Sequence, residues 1–230
     1  MKMINKKTLA STAAVSAIAL SAMAPVANAE VEVSASVGAA NMYYWRGLDL
    51  GGGAAISGDL SVSAGGAYGG IWTSSGDGSL GTEYDLYLGY GQEFGNFNFD
   101  VSLWTYAYPE SEVGPGDLVE LVAGFGFGPV SVTYYHGLED LEDYSHVTID
   151  AAFGSFNIQV GQHMDNEGFE SIDGLTYVNL SYAYNDNLSF TLGAVVDDAE
   201  TSWTEGDVTY VNAFNSEPKF IVSLSLPIEF

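Results

Sequence analysis

Along most of the chain, apolar and polar residues alternate with a period of two. The C-terminal KFIVSLSLPIEF shows it best. Phe220, Val222, Leu224, Leu226, Ile228 and Phe230 are apolar, while Ser223, Ser225 and Glu229 stand between them. Successive side chains of an extended strand point to opposite faces, so the two sets line opposite sides of one strand. NFNFDVSLW repeats the pattern through Phe97, Phe99, Val101 and Leu103. SFNIQVGQ repeats it through Phe156, Ile158 and Val160, and NLSFTLGAV through Leu188, Phe190, Leu192 and Ala194. No segment after Ala29 carries a convincing helical period.

Two kinds of connection separate these stretches, and they take turns along the chain. Glycine, proline and asparagine signals predict tight turns near Gly65-Gly66, Gly95-Asn96, Gly128-Pro129, Gly154-Ser155 and Asn185-Asp186-Asn187. Longer polar loops are expected at about 46–54, 74–82, 108–117, 137–144, 164–174 and 197–217. Eleven connections predict twelve strands, with both ends of the sheet on one side.

The prediction is therefore all-β, a single up-and-down antiparallel sheet, which can bury its apolar face in three ways. A β-sandwich covers it with a second sheet. A lipocalin-like barrel turns it inward around a ligand. A transmembrane barrel turns it outward into lipid. Strand length, the contrast between long loops and short turns, and an alternating last strand that ends on Phe230 and can pair with the first all favour the third. Aromatic residues on the apolar parity support it at two heights. Tyr43, Trp45, Tyr84 and Tyr134 lie near loop ends, and Tyr90, Phe97, Phe127, Phe153, Phe156 and Phe230 near turn ends, as membrane-interface girdles require.

The first residues form a separate segment. Lys2, Lys6 and Lys7 precede an uncharged run from Leu9 to Met23, and Ala27-Asn28-Ala29 supplies small residues before Glu30. This predicts a cleaved secretory signal peptide over 1–29 and a barrel over 30–230. With no cysteine there is no disulfide and no thiolate ligand.

Charge narrows the function further. The chain has 5 basic and 30 acidic residues. Removing Lys2, Lys6 and Lys7 leaves Arg46 and Lys219 against all 30 acids, a net charge of −28. Nucleic-acid binding needs a basic patch that this sequence lacks. Charges avoid lipid, so acids within strands should point inward. Parity gives that orientation to Glu32, Asp59, Asp85, Asp100, Glu120, Asp150 and Glu229, and the loops hold twenty more acids, Asp49, Asp77 and Glu83 among them. The predicted pore lining is Arg46, Asp59, Asp85, Asp100, Trp104, Glu120, Asp150 and Lys219. Bulky Tyr87, Tyr106 and Tyr177 share that side with Trp104 and would narrow it. Arg46 and Lys219 are expected to meet at the seam between first and last strands, with Tyr43 and Trp45 anchored in lipid beside them.

The N-terminal third resembles a known family. Tyr44-Trp45-Arg46-Gly47, the Gly-Ile-Trp of Gly70 to Trp72, and Glu83 to Tyr90 (EYDLYLGY) are similar to motifs of the TorF family, Gram-negative outer-membrane proteins of porin type. That family usually has phenylalanine where this chain has Trp45. The resemblance implies a porin-type barrel and supplies no substrate.

These readings lead to a channel for passive diffusion of small solutes or ions, cation-preferring through luminal carboxylates. The alternative is a closed structural or interaction barrel whose acidic loops bind divalent cations or a partner. Expected partners are outer-membrane lipid and lipopolysaccharide, and the barrel-assembly machinery through the strand ending at Phe230; no cofactor is expected. A lipase arrangement finds no His-x-Ser element, and His163 with Asn166 has no serine of matching parity. His136, Glu139, Asp140, Glu142, Asp143 and His146 gather at one loop, but their spacing fits no metal signature and favours a solvated acidic loop.

Overall fold

The computed structural model describes residues 30–51, 53–164, 172–197 and 217–229, with the backbone of 201–205 and 208–212. The signal-peptide segment and Phe230 lie outside the described residues. Among the described residues, sixteen strands follow one another. They are β1 (Glu32–Ala40), β2 (Tyr44–Trp45), β3 (Leu48–Asp49), β4 (Ala55–Ala64), β5 (Ala67–Asp77), β6 (Gly81–Phe94), β7 (Phe97–Tyr108) and β8 (Val113–Phe127). After these come β9 (Val130–Glu139), β10 (Ser145–Phe153), β11 (Phe156–Met164), β12 (Thr176–Ala183), β13 (Leu188–Asp197), β14 (Thr201–Glu205), β15 (Val208–Asn212) and β16 (Lys219–Ile228).

Twelve of them, all but β2, β3, β14 and β15, close into one antiparallel up-and-down barrel. β1 pairs with β4 on one side and with β16 on the other, so no sheet edge is left open. The tight turns fall where the sequence predicts them: Ala64 opposes Ala67, Phe94 opposes Phe97, Phe127 opposes Val130 and Phe153 opposes Phe156. The start of β1 and the end of β16 lie at this turn end.

Alternation decides the two faces. Leu60, Leu86, Leu88, Phe125, Ile149, Leu192, Phe220 and Leu226 are exposed on the outside. Asp85, Asp100, Glu120, His146, Tyr177 and Asn179, of the opposite parity, are buried inside. An apolar exterior around a polar interior is the reverse of a lipocalin, and the twelve strands close on themselves rather than pack as two sheets.

At the loop end the strands run further than expected. β5 runs to Asp77 and β6 begins at Gly81, so the loop expected at 74–82 shrinks to the turn between them, and β7 and β8, of 12 and 15 residues, leave only 109–112 of the loop expected at 108–117. Glu83, expected among the loop acids, is a buried residue of β6, and Asp77 closes the turn by accepting from Ser79 and Leu80 backbone N–H groups, both at 2.8 Å.

Candidate functional site

The interior of the loop end is occupied by a piece of the chain itself. β1 stops at Ala40, where Asn41 takes over its ladder. The Asn41 amide donates to the Phe220 carbonyl at 2.9 Å, and its side-chain oxygen accepts from the Val222 N–H at 2.7 Å. The main chain is thereby freed to leave the wall. It folds inward as the ribbon β2–β3, where Trp45 opposes Leu48 and Arg46-Gly47 form the two-residue tip. Both tip residues have positive φ, 45° and 88°. Two-residue hairpins of the primed type require that conformation, which suits Gly47 and is unfavourable for an arginine.

The compensation comes from the far wall. Arg46 forms a two-pronged ion pair with Glu120, Nη1 to Oε1 at 2.6 Å and Nη2 to Oε2 at 2.8 Å. β8 stands five strands from β1 around the barrel, so the ribbon spans the interior. Glu120 also accepts from the Tyr106 hydroxyl. The guanidinium carbon sits 4.1 Å from the Tyr135 ring centre and 4.7 Å from that of Trp45. A planar fork fits both demands, in-plane donation and stacking, which an ammonium cannot. Burial alone would lower the Arg46 pKa, but the Glu120 carboxylate more than offsets it, so the guanidinium stays charged.

A closed circuit completes the tip. Arg46 Nη1 donates to the Tyr144 hydroxyl at 2.7 Å, and that hydroxyl lies 3.2 Å from His163 Nδ1. His163 Nε2 lies 2.9 Å from the Arg46 carbonyl. A carbonyl only accepts, so Nε2 carries the proton and Nδ1 accepts from Tyr144. His146 packs against His163 with ring centres 4.5 Å apart and meets the Tyr177 hydroxyl at 3.1 Å.

Three further tethers hold the ribbon. Tyr43 donates to Glu83 on β6. Burial raises the Tyr43 pKa and the neighbouring Glu83 charge raises it further, so the phenol keeps its proton. Tyr44 donates to Asn179 on β12 at 2.9 Å. Lys219 Nζ on β16 lies 3.5 Å from Asp49. Together with Glu120 and His163, five wall strands grip one ribbon.

Several sequence expectations are corrected here. Tyr43 and Trp45 are not on the lipid-facing side: Tyr43 is buried and Trp45 lies against Tyr144 and His163. Their strand parity ends at Asn41, so it no longer predicts direction. Arg46 does not meet Lys219 at the seam; the two cations hold opposite ends of the same ribbon. Tyr84 and Tyr90 are exposed on the outer face, 41% and 39%. His136 is exposed outside, stacked on Tyr134, while His146 is buried inside, so the wall separates the two histidines of the acidic loop. Among the described residues no three histidine, aspartate or glutamate side chains converge to hold a metal.

Three more inward acids have phenol or amide partners. Asp59 accepts from Tyr87 at 2.9 Å, Asp100 from Tyr68 at 2.8 Å, and Asp150 from Asn157 at 3.0 Å and Gln159 at 3.1 Å. Trp104 donates to Ser102 at 3.0 Å and stacks on Tyr87, centres 4.4 Å apart. Inward aromatics lie flat over inward glycines of the neighbouring strand, directly opposite in register: Tyr68 over Gly89, Tyr87 over Gly70 and Tyr177 over Gly161. A Cβ on Gly161 would come within 2.3 Å of Tyr177, and one on Gly89 within 2.4 Å of Tyr68. The glycines let rings lie along the wall rather than across the axis.

A family model matches residues 24–222, nearly the whole barrel; its description is a bacterial protein of unknown function, Gcw_chp. The chain belongs to the Gcw_chp family. No curated protein matches it. Among solved structures it is similar to one titled KdgM porin, 12% identical, with a TM-score of 0.43, over 86% of this chain and 99% of that one. The description of Gcw_chp assigns no activity, so the TorF name rests on the quoted motifs alone. In this Gcw_chp protein, the ribbon and its tethers make up the candidate site.

Proposed function

We propose that this Gcw_chp protein is an outer-membrane barrel of porin type. In this reading it passes small cations by passive diffusion, and the ribbon forms a fixed constriction at its loop end. The barrel's continuous apolar exterior suits lipid rather than water. Both ends of the barrel chain and the tight turns would face the periplasm, and the long loops the outside.

The observation that carries the cation preference is the placement of acids. Asp59, Asp85, Asp100, Glu120 and Asp150 point inward from five different strands, while the inward cations Arg46 and Lys219 are each held by an acid, Glu120 and Asp49. Carboxylates lining a low-dielectric passage favour cations. Reversal potentials across planar bilayers under a salt gradient test this. A cation-selective potential is expected, reduced in Asp59→Asn/Asp100→Asn/Asp150→Asn. An anion-selective potential would overturn it.

A second reading draws support from the tight packing around the ribbon, where Leu175, His146 and His163 are fully buried. It is a closed barrel acting through its surface loops. A wild-type protein without conductance, and a ribbon deletion equally silent, would establish that reading.

A further inference from the structure

Beside the foot of the ribbon lie two acids without a counter-charge. Glu83 and Asp85 are neighbours on the inner face of β6, 4% and 2% exposed. Their carboxyl groups are within hydrogen-bonding reach of each other, and Glu120 is within electrostatic reach of Asp85. Glu83 receives Tyr43 on one oxygen and Tyr108 on the other, the latter at 2.7 Å. Asp85 is different: its Oδ1 is buried and has no hydrogen-bond partner. Buried carboxylate oxygens are nearly always satisfied, so an orphan oxygen among acids calls for a missing partner. Protein cations cannot fill the role. Among the described ion pairs, Arg46 is held by Glu120 and Lys219 by Asp49.

We infer that Glu83 and Asp85 bind one hard divalent cation of the calcium class inside the barrel mouth. Two carboxylates match its charge, and oxygen is the ligand such ions take. No third carboxylate or imidazole among the described residues converges there, so water completes the coordination shell. Tyr43 couples the site to the ribbon: a cation on Glu83 fixes the carboxylate that holds the ribbon's foot. The site stands whether or not the barrel conducts.

The test uses the full-length mature barrel refolded in detergent and stripped with a chelator. Calcium chloride is expected to raise its unfolding midpoint saturably, by about 5–10 °C at a hundredfold excess over the dissociation constant. Asp85→Asn and Glu83→Gln should each abolish the rise. The surface control Glu139→Gln/Glu142→Gln should keep it. In chelator, Asp85→Asn should be more stable than wild type, because an uncompensated buried charge is gone. Terbium provides a readout that does not depend on the variants' stability. Bound at this site, it should luminesce on tyrosine excitation through Tyr43 and Tyr108, and calcium should quench it by competition. An unresponsive midpoint, a rise that survives Asp85→Asn, or a midpoint that follows pH but not calcium would overturn the site. The last outcome would mean that the pair shares a proton instead. Conductance is recorded separately, so a barrel that binds calcium without conducting removes the channel reading and leaves this one.

Discussion

Arg46 concentrates the chemistry of the molecule in one residue. It occupies a left-handed backbone position at φ 45°, is 6% exposed, and pairs with a glutamate that is 1% exposed. Such a pair need not be worth much against a well-packed apolar replacement, but breaking one half strands the other in the interior. Arg46→Ala is expected to cost about 3–5 kcal/mol, measured as lowered resistance to heat or urea in detergent. Glu120→Gln added to it should recover part of the loss, since the uncompensated charge disappears; additive losses in that double-mutant cycle would refute the coupling. Ion selectivity should survive Arg46→Ala, because the residue secures the ribbon and four other inward acids stay in place. The tip was partly legible: Arg-Gly between Trp45 and Leu48 has the form of a two-residue turn. The partner was not, because nothing local ties residue 46 to residue 120.

The ribbon is the element that distinguishes this barrel from a bare cylinder of strands. Neither β2 nor β3 has more than two residues, and neither would persist alone. Its tethers to five wall strands supply what its own ladder lacks. Replacing Met42–Leu50 by a short glycine-serine link, with Glu120→Gln to avoid a stranded charge, should raise single-channel conductance while the circular-dichroism strand signal stays unchanged. Equal conductance would show that the ribbon does not constrict. The strands around it were readable from alternation, and so was one unexploited feature. A hairpin centred on Gly154-Ser155 sets His146 opposite His163 by register alone, as the structure has it. The register also places Asp85 opposite Tyr106. Treating each hairpin as a ruler would have found both pairs.

For the whole molecule, the governing fact is an inside-out distribution: apolar side chains outside and polar ones buried. Leu192, 49% exposed on the outer wall, tests it. Leu192→Arg should weaken folding into lipid vesicles by roughly 2–4 kcal/mol, read from urea titrations, as expected for a basic group facing hydrocarbon. Glu142→Arg, on an exposed loop, should change little. Equal effects at both positions would argue that the wall does not face lipid.

The sequence by itself determined the twelve strands of the barrel wall, their closure into one sheet and the face that the wall's side chains take. Those follow from a period of two and from turn residues, which act over a few positions. Only the tertiary structure decided where the first strand stops and what the freed chain does next. Continued past Asn41, the parity that is right for Asp100 and Leu103 sends Tyr43 and Trp45 outward. The physical reason is that Asn41 caps the ladder with its side chain. Once the backbone leaves the sheet, direction is set by contacts across the barrel with Glu83, Glu120, His163 and Asn179, residues 40 to 135 positions away in sequence.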